Sequence, residues 1–175
     1  MSGARITERR LVPVGRVLHA HGTTGELIVE PYLNDMPYYN RLREVTIGRT
    51  DGQGQAYRIQ QVRTAGERLL VRLEACSSSE AARPLRGADL YVPRDDLPPP
   101  SRGEFYWFDL EGLPVYTQEG DFLGRVEDFF PTGSNEVLVV RDGAREILLP
   151  FIKDVILAVD DAQGCLRVRA MPGLL

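Results

Sequence analysis

Short runs of alternating apolar and polar residues, bounded by glycine, proline, asparagine or aspartate, recur along this chain from Leu11 onward. In ERLLVRLE, Leu69, Val71 and Leu73 fall on one side and Leu70 and Arg72 on the other, the period of a half-buried strand. LVPVGRVL, GELIVEPY, REVTIGR, GQAYRIQQVR and ADLYV have the same short length and richness in Val, Ile and Leu. DGQG and TAGE read as turns between them, because glycine reaches backbone angles that other residues avoid. MPYYNRLRE holds one helical turn. SSSEAARPLRG offers another, capped by Ser77, Ser78 or Ser79 and stopped by Pro84. Five or six short strands with so little helix predict a small closed or nearly closed β-barrel, an architecture that also disposes of sheet edges.

The pattern breaks at LYVPRDDLPPPSRGEFYW, where Pro93 and the triplet Pro98, Pro99 and Pro100 separate two apolar segments. Adjacent prolines favour a stiff, extended connector that cannot enter a sheet ladder. The chain therefore divides into a first barrel over residues 10–93, a Pro-rich linker over 94–102 and a second domain over 103–175. Strand patterns resume there as three hairpins. LPVYT and FLGRVEDFF flank QEGD; EVLVVRDGAREILLP turns at Asp142-Gly143; DVILAVDDAQGCLRVRA sends Leu166, Val168 and Ala170 one way and Arg167 and Arg169 the other. A second small β-barrel is expected. No long helical period occurs, which excludes doubly wound α/β architectures and the enzyme classes built on them. The fold class is all-β.

Composition narrows the setting more than the chemistry. Of 175 residues, 43% are hydrophobic and 26% charged, and no run approaches the ~18 apolar residues of a membrane-spanning helix. MSGARITERR does not read as a signal peptide, and Cys76 and Cys165 lie too far apart for a metal knuckle, so a cytoplasmic, thiol-reduced protein is expected. Charge is unevenly spread. Residues 1–92 carry 13 Arg, no Lys and 10 Asp+Glu, net +3; residues 93–175 carry 8 Arg+Lys and 15 Asp+Glu, net −7. That asymmetry steers the second half towards basic partners and leaves the first compatible with nucleic acid.

Two stretches concentrate the candidate functional residues. In HAHGTTGE, His19 and His21 are the only histidines, but a metal site needs three or four ligands and Glu26 is the single extra donor nearby. GTTG is too short for a phosphate-binding P-loop, so its glycines are expected to shape a turn, with Thr23 and Thr24 offering hydrogen bonds to a partner. In GEFYWFDLEG, an extended backbone would send Phe105 and Trp107 to one side and Tyr106 and Phe108 to the other. Aromatic rings bring large rigid area to an interface. The acidic neighbours Glu104, Asp109 and Glu111 suit a basic protein better than nucleic acid. No convergent catalytic set occurs, so no enzyme activity, metal or cofactor is expected. A general RNA-binding module and, far behind it, a metal-dependent hydrolase centred on the histidines are the alternatives.

These segments taken together resemble the RimM family of ribosome maturation factors. The resemblance runs through VGRVLHAHGTTGELIVEPYLND, PLRGADLYVPRDDLP, FYWFDLEGLPVYTQEGDFLGRVEDFF, GSNEVLVV, EILLPFI and VRAMPGLL, in family order over residues 11–175. It implies a translation-factor-like six-stranded β-barrel followed by a PRC-barrel. It further implies a monomeric, non-enzymatic assembly factor for the 30S subunit, binding ribosomal protein S19 and assisting maturation of the 3′ (head) domain of 16S rRNA. The family's adjacent aromatics, implicated in ribosome binding, fall on Phe105 and Tyr106, followed by Trp107. That pair is usually Tyr-Tyr, so Phe105 lacks one hydroxyl. Thr24 stands where many members carry a basic residue.

Overall fold

A computed structural model describes residues 10–50, 53–101, 104–160 and 162–173. The chain forms two compact units that divide between Pro99 and Pro100.

In the first unit, β1 (Leu11–His21), β2 (Glu26–Pro31), β3 (Glu44–Thr50), β4 (Gln53–Ala65), β5 (Arg68–Leu73) and β6 (Asp89–Pro93) close a barrel in the order β1-β2-β5-β4-β3-β6. Closure is completed by β1, which pairs antiparallel with both β2 and β6. Alternation places the core as the sequence predicts: Leu69, Val71 and Leu73 are buried along β5, facing Val12, Val14, Leu27 and Val29 side chains of the same interior. Two-residue turns need a glycine that tolerates positive φ, and in TAGE this is Gly66 at +63°, between the paired residues Ala65 and Arg68. The DGQG turn lies partly outside the described residues.

The helical segments are single turns. α1 (Met36–Arg41) starts at Asp35, whose carboxylate accepts from the Tyr38 N–H, and buries Tyr38 and Tyr39. Ser78, of the three serines considered, caps α2 (Ser79–Ala82) by accepting from Ala81 N–H. Pro84 does not stop the chain's helical course there. It sits inside a 3-10 turn over Arg83–Leu85, where its missing N–H costs nothing at a first-turn position. Pro93 closes β6, Arg94 N–H donates to Arg10 O, and Leu97 is buried, so packing of the first unit continues beyond residue 93.

The second unit opens with α3 (Trp107–Leu110), followed by β7 (Pro114–Thr117), β8 (Phe122–Pro131), β9 (Glu136–Asp142), β10 (Arg145–Pro150), β11 (Ile156–Asp160) and β12 (Cys165–Val168). The hairpins occur where the pattern puts them, but Asp142 pairs with Arg145, so the turn is Gly143-Ala144, one residue later than Asp142-Gly143. The sheet order is β10-β9-β8-β7-β12-β11. Its unusual member is β12, which lies parallel to β7 and so returns the last hairpin to the start of the unit. Residues from β7, β8, β9, β10 and β12 share one core with Leu110 and Val155, and Ile156 and Val159 of β11 pack against it. Leu166 and Val168 face that core; Ala170 lies past the end of β12 and is exposed. No helix among the described residues is long and apolar enough to cross a membrane.

Candidate functional site

The aromatic stretch is not extended throughout. Tyr106 has extended angles, φ −78° and ψ 130°, but acts as the cap of α3, so the chain turns helical at Trp107. Asp109 N–H donates to Tyr106 O and Glu111 N–H to Trp107 O, and Gly112, at φ +78°, ends the turn and redirects the chain into β7. Phe108 and Leu110 are both 2% exposed, so the turn keeps both of these apolar side chains out of water.

The division of the rings nevertheless follows the alternation expected of them. Phe105 and Trp107 are 36% and 40% exposed, whereas Phe108 is buried and Tyr106 is half-buried. Tyr106 stacks on Phe108 at a centroid separation of 5.1 Å and an interplanar angle of 12°. Trp107 meets Phe108 edge-on at 5.8 Å. Phe105 stands edge-on to Phe151 at 6.1 Å, and Phe151 in turn to Phe129 at 6.4 Å. The outer rings thus rest on rings that border the core, which holds them in place while leaving their outward area uncovered. Glu104 and Glu111 are exposed beside them and Asp109 is half-buried within the same turn.

Thr23 and Thr24 belong to the first unit, exposed in the turn between β1 and β2. The two glycines of that turn serve different ends. Gly22, at φ +64°, faces open space and is required only for its backbone angle. Gly25, at φ +75°, lies where a Cβ would approach Cys76 O and Ser78 O to 2.7 Å, so it also lets the turn close against the loop before α2. His19 and His21 are exposed at the end of β1. No group of three His, Cys, Asp or Glu among the described residues is placed to hold a metal ion.

Glu26, named from sequence only as a spare metal donor, is engaged otherwise. It is 5% exposed and accepts from Arg63 Nη2 at 2.7 and 2.9 Å, with Arg72 Nη2 at 3.5 Å. The Arg63 hydrogen bond holds its carboxyl below the ordinary carboxylate value; burial opposes this, and the charges of Arg63, Arg72 and His21 reinforce it. These partners come from β4 and β5, distant in sequence, and only the register of the barrel brings them together.

Comparison with known families settles the assignment of the two units. The model of the RimM N-terminal domain matches residues 12–97, and that of the RimM PRC barrel domain matches residues 107–174. The chain belongs to the RimM family of ribosome maturation factors. The RimM PRC barrel match begins at Trp107, which leaves Phe105 and Tyr106 just ahead of it. Curated RimM relatives include the ribosome maturation factor of Geobacter metallireducens, 37% identical over 94% of this chain and 95% of that protein. That of Nitrosococcus oceani is 42% identical over 92% and 91%. A crystal structure of a RimM 16S ribosomal RNA processing protein from Pseudomonas aeruginosa is 31% identical, covering 92% of this chain and 98% of that one, with a TM-score of 0.46.

Proposed function

We propose that this chain is a non-enzymatic, cytoplasmic assembly factor for the 30S ribosomal subunit, acting as a monomer and without a cofactor. Its second unit grips ribosomal protein S19 through Phe105, Tyr106 and Trp107, with Asp109 adding negative charge, while the first barrel lies against 16S rRNA of the maturing 3′ (head) domain. Thr23 and Thr24 supply hydrogen bonds at the edge of that contact. The observation carrying this reading is the pair of uncovered rings, Phe105 and Trp107, propped on half-buried Phe151 and buried Phe108 and flanked by carboxylates.

The physics suits a basic protein partner. Arginine side chains pack on aromatic faces with attraction of about 0.5–2 kcal/mol, more when water is excluded, and the surrounding carboxylates favour their approach. The net −7 of residues 93–175 acts over longer range in the same direction. Holding such a protein on a rigid aromatic platform keeps it from premature contacts while the rRNA beside it folds.

The test is capture of purified S19 by the full-length chain and by a Phe105→Ala, Tyr106→Ala double variant, with thermal unfolding measured in parallel. Loss of one or two large interface anchors is expected to weaken capture by about tenfold or more. A folded variant that holds S19 as tightly as the parent removes the aromatic grip from the proposal.

A further inference from the structure

We propose that the corner of the first barrel formed by Arg49, Arg83 and Arg86 is a contact for the phosphate backbone of RNA. The inference rests on the reading that this barrel lies against rRNA, and it names the surface that does so.

Most arginines on the β1-β2-β5-β4 side of the barrel already have a carboxylate partner, although Arg63 and Arg72 share one. Arg16 pairs with Asp89 at 2.9 Å, Arg63 and Arg72 with Glu26, and Arg68 with Glu30 at 2.7 Å. Arg49, Arg83 and Arg86 are exposed, and no described carboxylate lies within ion-pair distance of any of them. Glu80, one turn back from Arg83, is not within that distance. Arg41, Arg43 and Arg58 also lack an ion pair, but they gather at the opposite end of β3, where Glu44 stands in cross-strand register with Arg58.

The three are brought together by specific bonds. Arg83 and Arg86 flank Pro84-Leu85 in the 3-10 turn, with Arg86 N–H donating to Arg83 O. Positions three apart in a 3-10 turn eclipse one another, so both side chains leave on the same side. Arg49, at the end of β3, reaches across to donate from Nη2 to Arg86 O at 2.7 Å and to Pro84 O at 3.4 Å. The turn is itself fixed to β1, since Gly87 N–H donates to Val17 O and Val17 N–H to Ala88 O. Three guanidinium groups are thereby presented from a rigid support with no carboxylate among the described residues in ion-pair contact.

The composition of the surface selects RNA over an acidic protein. A protein interface needs apolar anchors at its centre, whereas phosphate contacts need only charge and donors. Among the described residues, Tyr32 is the only exposed large apolar side chain of the first unit; Phe105, Trp107, Phe122, Phe130, Leu148, Leu157 and Met171 all belong to the second. Tyr32 moreover spends its hydroxyl on Asp89. Guanidinium also suits phosphate, which it binds through two parallel hydrogen bonds.

The test is binding of the full chain to a transcript of the 16S rRNA 3′ domain and to an unrelated RNA hairpin across a salt series. Arg83→Ala with Arg86→Ala is compared with Arg68→Ala, which removes a half-buried arginine paired with Glu30. Each lost phosphate contact lowers the magnitude of the slope of log affinity against log salt by about 0.7–0.9. The double variant is therefore expected to lose about 1.4–1.8 on both RNAs, and Arg83→Lys with Arg86→Lys to recover most of it. Arg68→Ala should leave the slope unchanged. A double variant with the parent's slope overturns the assignment of this corner while leaving the first barrel's contact with rRNA standing. A parent chain that binds neither RNA at low salt overturns both. Arginine-dependent binding to the protein fraction of 30S precursors but not to RNA would replace RNA with an acidic protein.

Discussion

Arg63 donates to both carboxylate oxygens of Glu26 from a single nitrogen, Nη2, at 2.7 and 2.9 Å, across 37 positions of sequence. The glutamate is nearly buried and the arginine half exposed, so the pair ties β4 to the turn-proximal end of β2 where both meet solvent. Because the Arg63 bond outweighs burial, the folded carboxyl sits below its ordinary value of 4.5. The unfolded chain therefore takes up this proton at higher pH than the folded one. The contribution of Glu26 to stability is complete above the ordinary value and is lost as pH falls through the folded value. Glu26→Gln should cost about 1–3 kcal/mol at neutral pH, towards the lower figure because solvent screens the arginines. Urea unfolding should show the gap to the parent narrowing below pH 4.5; a gap that stays constant there would mean that only shape, not charge, matters.

The glycines of the same turn should separate by more than their shared positive φ. Gly22→Ala meets no neighbouring atom and should cost about 1–2 kcal/mol, the strain of a left-handed alanine. Gly25→Ala adds a Cβ at 2.7 Å from two backbone oxygens, so the loop from Cys76 to Ser78 must move as well. Thermal unfolding should place Gly25→Ala well below Gly22→Ala. Equal midpoints would show that this loop yields without cost.

The local parts of this fold were legible and the distant parts were not. Alternation identified β5 because Leu69, Val71 and Leu73 answer to one interior, and serine, glycine and proline marked the turns. The ring exposures of Phe105 to Phe108 followed the same alternation, although the backbone turns helical at Trp107. That turn was hidden because four aromatic residues favour extended structure intrinsically, whereas the Asp109 N–H to Tyr106 O and Glu111 N–H to Trp107 O bonds that close it leave no mark in the pattern. The parallel pairing of β12 with β7 joins Leu166 to Val115, a contact no local pattern encodes. The partners of Glu26 and the reach of Arg49 to the 83–86 turn likewise exist only once the barrel closes.

Cys76 and Cys165 are both buried. Burial pushes the Cys76 thiol above its ordinary value, so little reactive thiolate forms even where solvent enters. A thiol-exchange reagent should find no fast-reacting cysteine in the folded chain and two after denaturation. The Gly25→Ala variant should expose Cys76 selectively, since that change displaces the Cys76 carbonyl. Rapid labelling of the parent would contradict the closed packing of the turn against this loop.

Stability and grip should divide between neighbouring rings. Phe108 is 2% exposed and supports both Tyr106 and Trp107, so Phe108→Ala should cost about 3–5 kcal/mol. For a domain of this size that lowers the unfolding midpoint by well over 10 °C, at about 4–8 °C per kcal/mol. Trp107→Ala removes a ring that is 40% exposed and rests on Phe108 edge-on, so it should cost clearly less than Phe108→Ala, about 1–2 kcal/mol. Its effect should fall on S19 capture instead. Phe105→Tyr adds a hydroxyl to a ring held edge-on to Phe151 at 6.1 Å, and because packing rather than a hydrogen bond holds that ring, capture should change by less than about twofold. Melting and capture measured on the same three variants therefore move independently if the outer rings are the contact. Should Trp107→Ala lower the midpoint as far as Phe108→Ala while leaving capture intact, the outer ring would belong to the core and the contact would have to lie elsewhere on the second unit.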